Sequence, residues 1–480
     1  MRKLRDFNLS QFREISDRVS HQVGRWIFLT VIFLIIVALS GGLFFLDFWS
    51  FVDLCIRMMI LGIPVTTMIL LSQVGFPPRV GRNRFGLFLK LLFIVSCIPA
   101  ISPTDNYLLL TVLALAGSGL AVVLSAIQVI YLGGRVFTEM LELAPLPLSQ
   151  VQTRYSVACH LTDVHMTVGN LKTIEGYPGG GRNWDTALNW LSEQNPRYVF
   201  ITGDLTDSGG ETQWYKAVDS LKLIQHSLIF IAPGNHDLNP AYGEEFSGTG
   251  HSHDDALFLF RRFIRALIQV SPTIMSFEGR LLSQALRDFE EHTVQLFLEW
   301  CDPRRVAFYE DGWERLFPLF FDNDDDEIRV VVLNSVPKAT SLGEGALGTF
   351  GETQLRQLQE LMDSTPSRKI VWILTHHAPF RRPNERLKTL KQCWDCGLLS
   401  HRVGESRRLV EIITRFAALR PETQVFILCG HRHTGVAGQC GPVQVLEAGA
   451  LVNSDSAGWV FYDHNNRVHV RDRHITVSSN

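Results

Sequence analysis

The sequence predicts two structural classes in one chain of 480 residues: an α-helical transmembrane bundle of four helices, then an α/β domain. Two observations carry this. Long apolar runs crowd the stretch from Trp26 to Leu132, and hydrophobic residues make up 46% of the chain. From Tyr155 onwards, short apolar runs alternate with helical stretches, and polar clusters rich in His, Asp and Asn stand at the ends of those runs. A length of 480 exceeds one compact domain, so at least two units are expected. The net charge of −3 supplies no global basic field, and no nucleic-acid polymer is expected as a partner. The eight scattered cysteines do not form a secreted disulfide framework and fit a reducing compartment.

Residues 1–25 are polar and basic, and apolar spans begin at Trp26, the first of them without a charge. Their expected limits are about 26–46, 58–76, 85–101 and 108–132, each near the length needed to cross a bilayer core. The first is too long for a signal-peptide core, and further spans follow it. Pro64 is tolerable inside a bundle, and Lys90 can snorkel to the headgroups. Ala116, Gly117, Ser118 and Gly119 suit close helix packing. Arg79, Arg82 and Arg84 mark the second connection, whereas the first (Asp47 to Asp53) and the third (Ser102 to Tyr107) carry no Lys or Arg. The positive-inside rule then places both termini and the C-terminal domain in the cytoplasm, at the inner membrane if the source is bacterial. Gly133, Gly134, Pro145 and Pro147 read as a linker over 133–150, closing an N-terminal region 1–150 before a second domain 151–480.

Five apolar runs in that domain each end in a polar cluster. Tyr155 to Leu161 precedes Asp163-Val164-His165, and Tyr198 to Thr202 precedes Gly203-Asp204-Leu205-Thr206-Asp207. Leu228 to Ala232 precedes Gly234-Asn235-His236-Asp237. Ile370 to Leu374 precedes Thr375-His376-His377-Ala378-Pro379-Phe380, and Gln424 to Leu428 precedes Cys429-Gly430-His431-Arg432-His433. Strand ends are where open α/β sheets hold ligands. Singly these clusters are weak: Asp-x-His is common, and Asp often caps a helix. Together they supply four imidazoles, two carboxylates and one amide, a nitrogen and oxygen set without thiolate. Such a set suits two cations roughly 3.5–4 Å apart with a nucleophilic water between them.

The ordered set Asp163-x-His165, Gly203-Asp204, Gly234-Asn235-His236-Asp237, His376 and Gly430-His431-x-His433 resembles the calcineurin-like metallophosphoesterase superfamily. The resemblance runs from about Tyr155 to His474, and Asp207 makes it most similar to the cyclic-nucleotide-phosphodiesterase-like branch. It implies a four-layer αββα sandwich with the site at the strand ends. Carried over by position, Asp163, His165 and His433 would bind a first metal, Asn235, His376 and His431 a second, and Asp204 would bridge. The ions implied are two divalent or mixed-valence metals drawn from Mn, Fe and Zn. Both would neutralise the phosphoryl oxygens and lower the pKa of the bridging water, so that hydroxide attacks in line. His236 would protonate the leaving oxygen or donate to the phosphoryl group, and Asp237 would orient it or cap the next turn. Ala378 stands where relatives have the first proline of His-His-Pro-Pro, and His377 is expected to pack or line the rim.

The stretch 239–318 is long for such a domain and is expected to cap the pocket. It reads as helical over about 255–300, broken near Pro272. Phe258, Leu259, Phe263, Leu267, Leu282, Leu286 and Phe289 form its apolar spacing, expected to pack on the sandwich rather than bind a lipid chain. Gly351 to Leu361 reads as an outer helix, Asp322 to Glu327 as a solvated acidic turn, and Gly179 to Arg182 as a loop. Val443 to Leu446, Gly458 to Tyr462 and Val468 to Ile475 read as late strands. Arg381 and Arg382 are candidates for an anionic substrate or headgroup, whereas the lone Cys393-x-x-Cys396, with no second pair nearby, reads as neither a structural zinc site nor a redox pair.

The expected activity is hydrolysis of a phosphodiester or pyrophosphate bond by a membrane-anchored two-metal phosphoesterase. Four spans exceed what a tether needs, which points to a lipid-linked substrate taken from the inner leaflet. A soluble cyclic nucleotide, with a sensing membrane domain, is the same-class alternative. A non-catalytic metal-binding scaffold is the alternative from another class.

Overall fold

The computed structural model describes residues 141–146, 157–168, 173, 181–240, 253–287, 313, 315–338, 348–366, 368–381, 403–433, 435–452, 458–464 and 467–472. The predicted spans 26–46, 58–76, 85–101 and 108–132 lie outside them. Among the described residues no helix is long and apolar enough to cross a membrane. The chain divides into two units, Met1–Leu132 and Gly133–Asn480, and every described residue belongs to the second.

Apolar runs with β-branched residues form the strands that the sequence indicates. The first sheet contains β2 (Ala158–Leu161), β3 (Tyr198–Thr202), β4 (Leu228–Ala232), β11 (Trp459–His464) and β12 (Arg467–Asp472). Its order is β12-β11-β2-β3-β4, with β2, β3 and β4 parallel and β11 antiparallel to both neighbours. The second sheet contains β1 (Ala144–Pro145), β5 (Leu319–Asn323), β6 (Ile328–Val332), β7 (Ile370–Leu374), β8 (Gln424–Cys429), β9 (Val436–Cys440) and β10 (Val443–Glu447). Its order is β1-β9-β10-β8-β7-β6-β5, with β6, β7, β8 and β10 parallel.

Period-two alternation decides which face each residue serves. In β7, Trp372 turns towards the other sheet, where its ring lies 5.0 Å from that of Phe200 and 4.6 Å from that of Phe461. Its neighbours Val371 and Ile373 turn outwards, into a cluster with Leu355 and Leu358 of α5 (Glu352–Ser364) and Leu409 and Ile413 of α6 (Val403–Leu419). The first sheet is covered by α1 (Gly181–Gln194) and α2 (Glu211–Leu221), which bury Trp184, Leu188 and Trp214. The layers are therefore helix, sheet, sheet, helix.

The helix α4 (His253–Val270) ends just before Pro272 and packs on α2, on β4 and on the single turn α3 (Asn235–Leu238). Leu259, Phe263 and Leu267 are buried, and the Phe263 ring meets Trp214 at 5.8 Å. Its apolar face is thus occupied by the sandwich. Among the described residues of that stripe, Phe258 alone stays out, 48% exposed beneath the Arg262 guanidinium.

Some expectations change. The acidic turn is an ion-pair node: Arg329 donates to Asp322 at 2.7 and 2.6 Å, Arg368 to Asp324 at 2.6 Å and Arg197 to Asp326 at 2.5 Å. Gly181 and Arg182 open α1 rather than a loop. Within the expected linker, Ala144 and Pro145 form β1, since a proline costs no ladder bond at a sheet edge.

Candidate metal centre

The five polar clusters meet because parallel strands of both sheets end at one rim. Within each sheet, loop pairs to loop: His165 N–H donates to Asp204 O at 2.9 Å, and Gly430 N–H to His376 O at 2.9 Å. Across the sheets, His431 N–H donates to Asp163 Oδ2 at 3.0 Å, and His376 Nδ1–H to Thr202 O at 2.7 Å. The approach is close enough to require glycine. A Cβ on Gly203 would lie 2.5 Å from His376 Nδ1, and one on Gly430 would overlap Thr162 Oγ1 and Asp163 Oδ2. Asp163, His165, Asp204, His431 and His433 all hold φ between 48° and 72°, a left-handed conformation that side chains other than glycine rarely adopt.

The donor atoms form two clusters joined by one carboxylate. In the first, Asp163 Oδ1 stands 3.3 Å from His433 Nε2, and both residues group with His165. His165 Nδ1 lies 3.3 Å from Asp207 Oδ1, which presents its Nε2 to the centre. In the second, His376 Nε2 lies 2.9 Å from Asn235 Oδ1 and 3.2 Å from His431 Nδ1. Asp204 links them: its Oδ1 accepts the His236 N–H at 2.8 Å, while its Oδ2 lies 3.2 Å from His376 Nε2 and 3.8 Å from His165 Nε2. The structure therefore brings together Asp163, His165, Asp204, Asn235, His376, His431 and His433. All are buried except His433, whose side chain is 17% exposed and marks the open side.

These residues fit metal ions on their own geometry. His376 gives its Nδ1–H to Thr202, so a neutral ring would aim the Nε2 lone pair at three other lone pairs. Separations near 3 Å are the edges expected between ligands held about 2.1 Å from one ion.

Charge tells the same story. Burial opposes ionisation of Asp163 and Asp204, yet His433 beside the first and His376 beside the second hold both carboxyls well below the usual range. Burial disfavours the His376 imidazolium, but Asp204 and Asp163 outweigh it and push it up to about 9. Burial and then the charge of His376 hold His431 well below the ordinary imidazole value.

His236 lies beside the centre, its ring 4.4 Å from that of His165 and its Nδ1 2.8 Å from Asp207 O. Asp237 is a clasp. Its Oδ1 accepts Thr206 N–H at 2.9 Å and Thr206 O–H at 2.7 Å, and its Oδ2 accepts Gly234 N–H at 3.0 Å. Burial, followed by the Asp204 charge, raises its carboxyl to about 6.

Several participants were not singled out from the sequence. Arg432 makes a two-pronged ion pair with the buried Glu447 at 2.9 and 2.7 Å, which fixes the loop between His431 and His433. A carboxylate ending the apolar run Val443 to Leu446 was the available signal. His377 is fully buried with Nδ1 2.9 Å from Ser335 Oγ, so it packs and does not line a rim. Arg381 pairs with Glu142, whereas Arg382 and the Cys393-x-x-Cys396 pair lie outside the described residues.

Nitrogen and oxygen donors gathered at the strand ends of a two-sheet sandwich define a candidate centre for metal ions. Residues 158–435, more than half of the chain, match the family described as calcineurin-like phosphoesterase, and the chain belongs to that family. It is 34% identical over 77 residues to a protein named "probable cyclic nucleotide phosphodiesterase" from Coxiella burnetii, covering 16% of this chain and 30% of that one. The chain thus spans less than a third of that relative. Among solved structures, it is similar to a dimetal phosphatase from Danio rerio, with 13% identity, 67% of this chain and 97% of that chain covered, and a TM-score of 0.37. It is also similar to a purple acid phosphatase from yellow lupin (Lupinus luteus) seeds, with 12% identity, coverages of 66% and 47%, and a TM-score of 0.34.

Proposed function

We propose that the chain is a membrane-anchored dinuclear phosphoesterase that hydrolyses a phosphodiester or pyrophosphate bond. The position of Asp204 Oδ2 between His376 Nε2 at 3.2 Å and His165 Nε2 at 3.8 Å carries the dinuclear part. Asp163, His165 and His433 would hold one cation, Asn235, His376 and His431 the other, with Asp204 positioned to serve both. When bound, the pair neutralises phosphoryl charge and supplies a nucleophile at neutral pH. The chain's residues do the rest. Asp207 orients His165 through Nδ1 and anchors His236 Nδ1 through its carbonyl, so His236 Nε2 is the position from which a proton reaches the leaving oxygen. Asp237 acts one step back, holding the Asp204 and Asn235 loops together through Thr206 and Gly234. The test is hydrolysis of bis-p-nitrophenyl phosphate by the full chain with Mn²⁺, Fe²⁺ or Zn²⁺, with and without chelator. Absence of chelator-sensitive turnover under every metal would leave a non-catalytic scaffold.

The membrane part rests on the apolar spans between Trp26 and Leu132, and the basic connection at Arg79, Arg82 and Arg84 supports a cytoplasmic domain. Four spans beside a hydrolytic domain support a lipid-linked substrate. The name of the Coxiella burnetii relative favours a second reading, a cyclic nucleotide. Comparing turnover on detergent-dispersed lipid diphosphates and on cyclic nucleotides separates them. A clear excess on the nucleotide would displace the lipid reading.

A further inference from the structure

The short strand β1 and the residues before it touch the metal centre's scaffold at two places. Arg381 N–H donates to Leu141 O at 2.9 Å, and Leu143 N–H donates to Arg381 O at 3.0 Å. Two residues on, Ala144 pairs with Gln439 and Pro145 with Gly438 of β9. Between these ladders Leu143, 5% exposed, enters the cluster that holds Ala378, Phe380 and Cys429. It fills the space a side chain would need at Gly438, where a Cβ would stand 2.7 Å from Leu143 Cβ.

Both contact points belong to ligand loops. Arg381 lies five residues after His376, and β9 begins three residues after His433. The near ends of these loops are held by neighbouring strands, through Thr375 N–H to Leu428 O at 3.0 Å and Gly430 N–H to His376 O. Further along the chain, Arg381 and β9 meet the 141–145 segment. We propose that residues 141–145 are a positioning strap that holds the His376 loop and the His431–His433 loop in register for metal binding. This rests on the phosphoesterase reading above. The force lies in the backbone ladder and in buried Leu143, because the Glu142–Arg381 pair is too exposed to contribute much. Ligands set at fixed separations lose affinity when their support loosens, typically about 10–100-fold.

The experiment uses the full chain in detergent, stripped of metal and titrated with Mn²⁺ followed by electron paramagnetic resonance, alongside hydrolysis of bis-p-nitrophenyl phosphate. Leu143→Ser and Gly438→Val disturb the strap from its two sides. Each is expected to raise the Mn²⁺ dissociation constant about tenfold or more. The Mn²⁺ concentration for half-maximal turnover should rise in parallel, with turnover at saturating Mn²⁺ kept within about twofold, as expected for a lost support rather than a lost reacting group. Should Leu143→Ser fail to fold, the milder Leu143→Ala must still weaken Mn²⁺ binding. Wild-type Mn²⁺ affinity in Leu143→Ala and Gly438→Val, or a loss of saturated turnover at unchanged affinity, overturns the strap alone. A wild-type chain that neither binds Mn²⁺ nor hydrolyses the ester overturns the phosphoesterase reading, and the strap with it.

Discussion

His376 Nε2 is the most crowded atom of the centre, facing Asn235 Oδ1, His431 Nδ1 and Asp204 Oδ2 within 3.2 Å. In metal-free protein a proton must occupy that focus, since the neighbouring carboxylates raise His376 to about 9 against the effect of burial. A cation has to displace this proton below that value and has none to displace above it. Apparent Mn²⁺ affinity should therefore climb with pH up to about pH 9 and then flatten, read as proton release in titrations across buffers of different ionisation heat. Asp204→Asn isolates the shared charge, because Asn tolerates the left-handed φ of 49° found there. It should lose metal and at least about 10²-fold in turnover. His236→Ala should keep its metal yet lose roughly 10²–10⁴-fold in turnover, measured as kcat beside a metal analysis. That these residues would converge was legible from five clusters standing together in the order of a known family, not from any one of them. Their partners were not: Asp237 as a clasp and His377 against Ser335 depend on contacts 31 and 42 residues away.

At the scale of elements, the same strands that place the ligands also make the core between the sheets. Trp372 stacks on Phe426 at 4.4 Å and meets Phe200 and Phe461 from the opposite sheet. Trp372→Ala should cost about 3–5 kcal/mol, read as a lowered denaturation midpoint. It should also slacken the metal loops at the strand ends. β3, β4 and β7 coincide with the apolar runs in the sequence, since buried parallel strands read as continuous hydrophobic stretches. β9 escaped because Val436–Cys440 is half-exposed and carries Gly438 and Gln439, which give no alternating signal. α6, Val403–Leu419, lies in a stretch for which no helix was expected. The amphipathic stripes of α4 and α5 were plain, and both turn inwards as their spacing demands.

For the whole molecule, family membership was readable from motif order alone, because five short clusters in one sequence rarely share a fold by accident. The domain limit was less readable. A boundary at residue 150, set by linker composition, falls after β1, although that strand closes the sheet order β1-β9-β10-β8-β7-β6-β5. Pro145 gave the misleading signal, since proline marks linkers and sheet edges alike. This placement also governs how the protein behaves in solution. With β1 present, Leu143 and Pro145 cover the outer side of β9 and end the ladder in a residue without an N–H. A fragment starting at Val151 would bare the β9 backbone along an open edge, a template for pairing with a second copy. Such a fragment should elute as dimers or larger aggregates at concentrations where one starting at Gly133 stays monodisperse, by size-exclusion chromatography with light scattering. Monodisperse elution of both would mean that β9 guards its own edge.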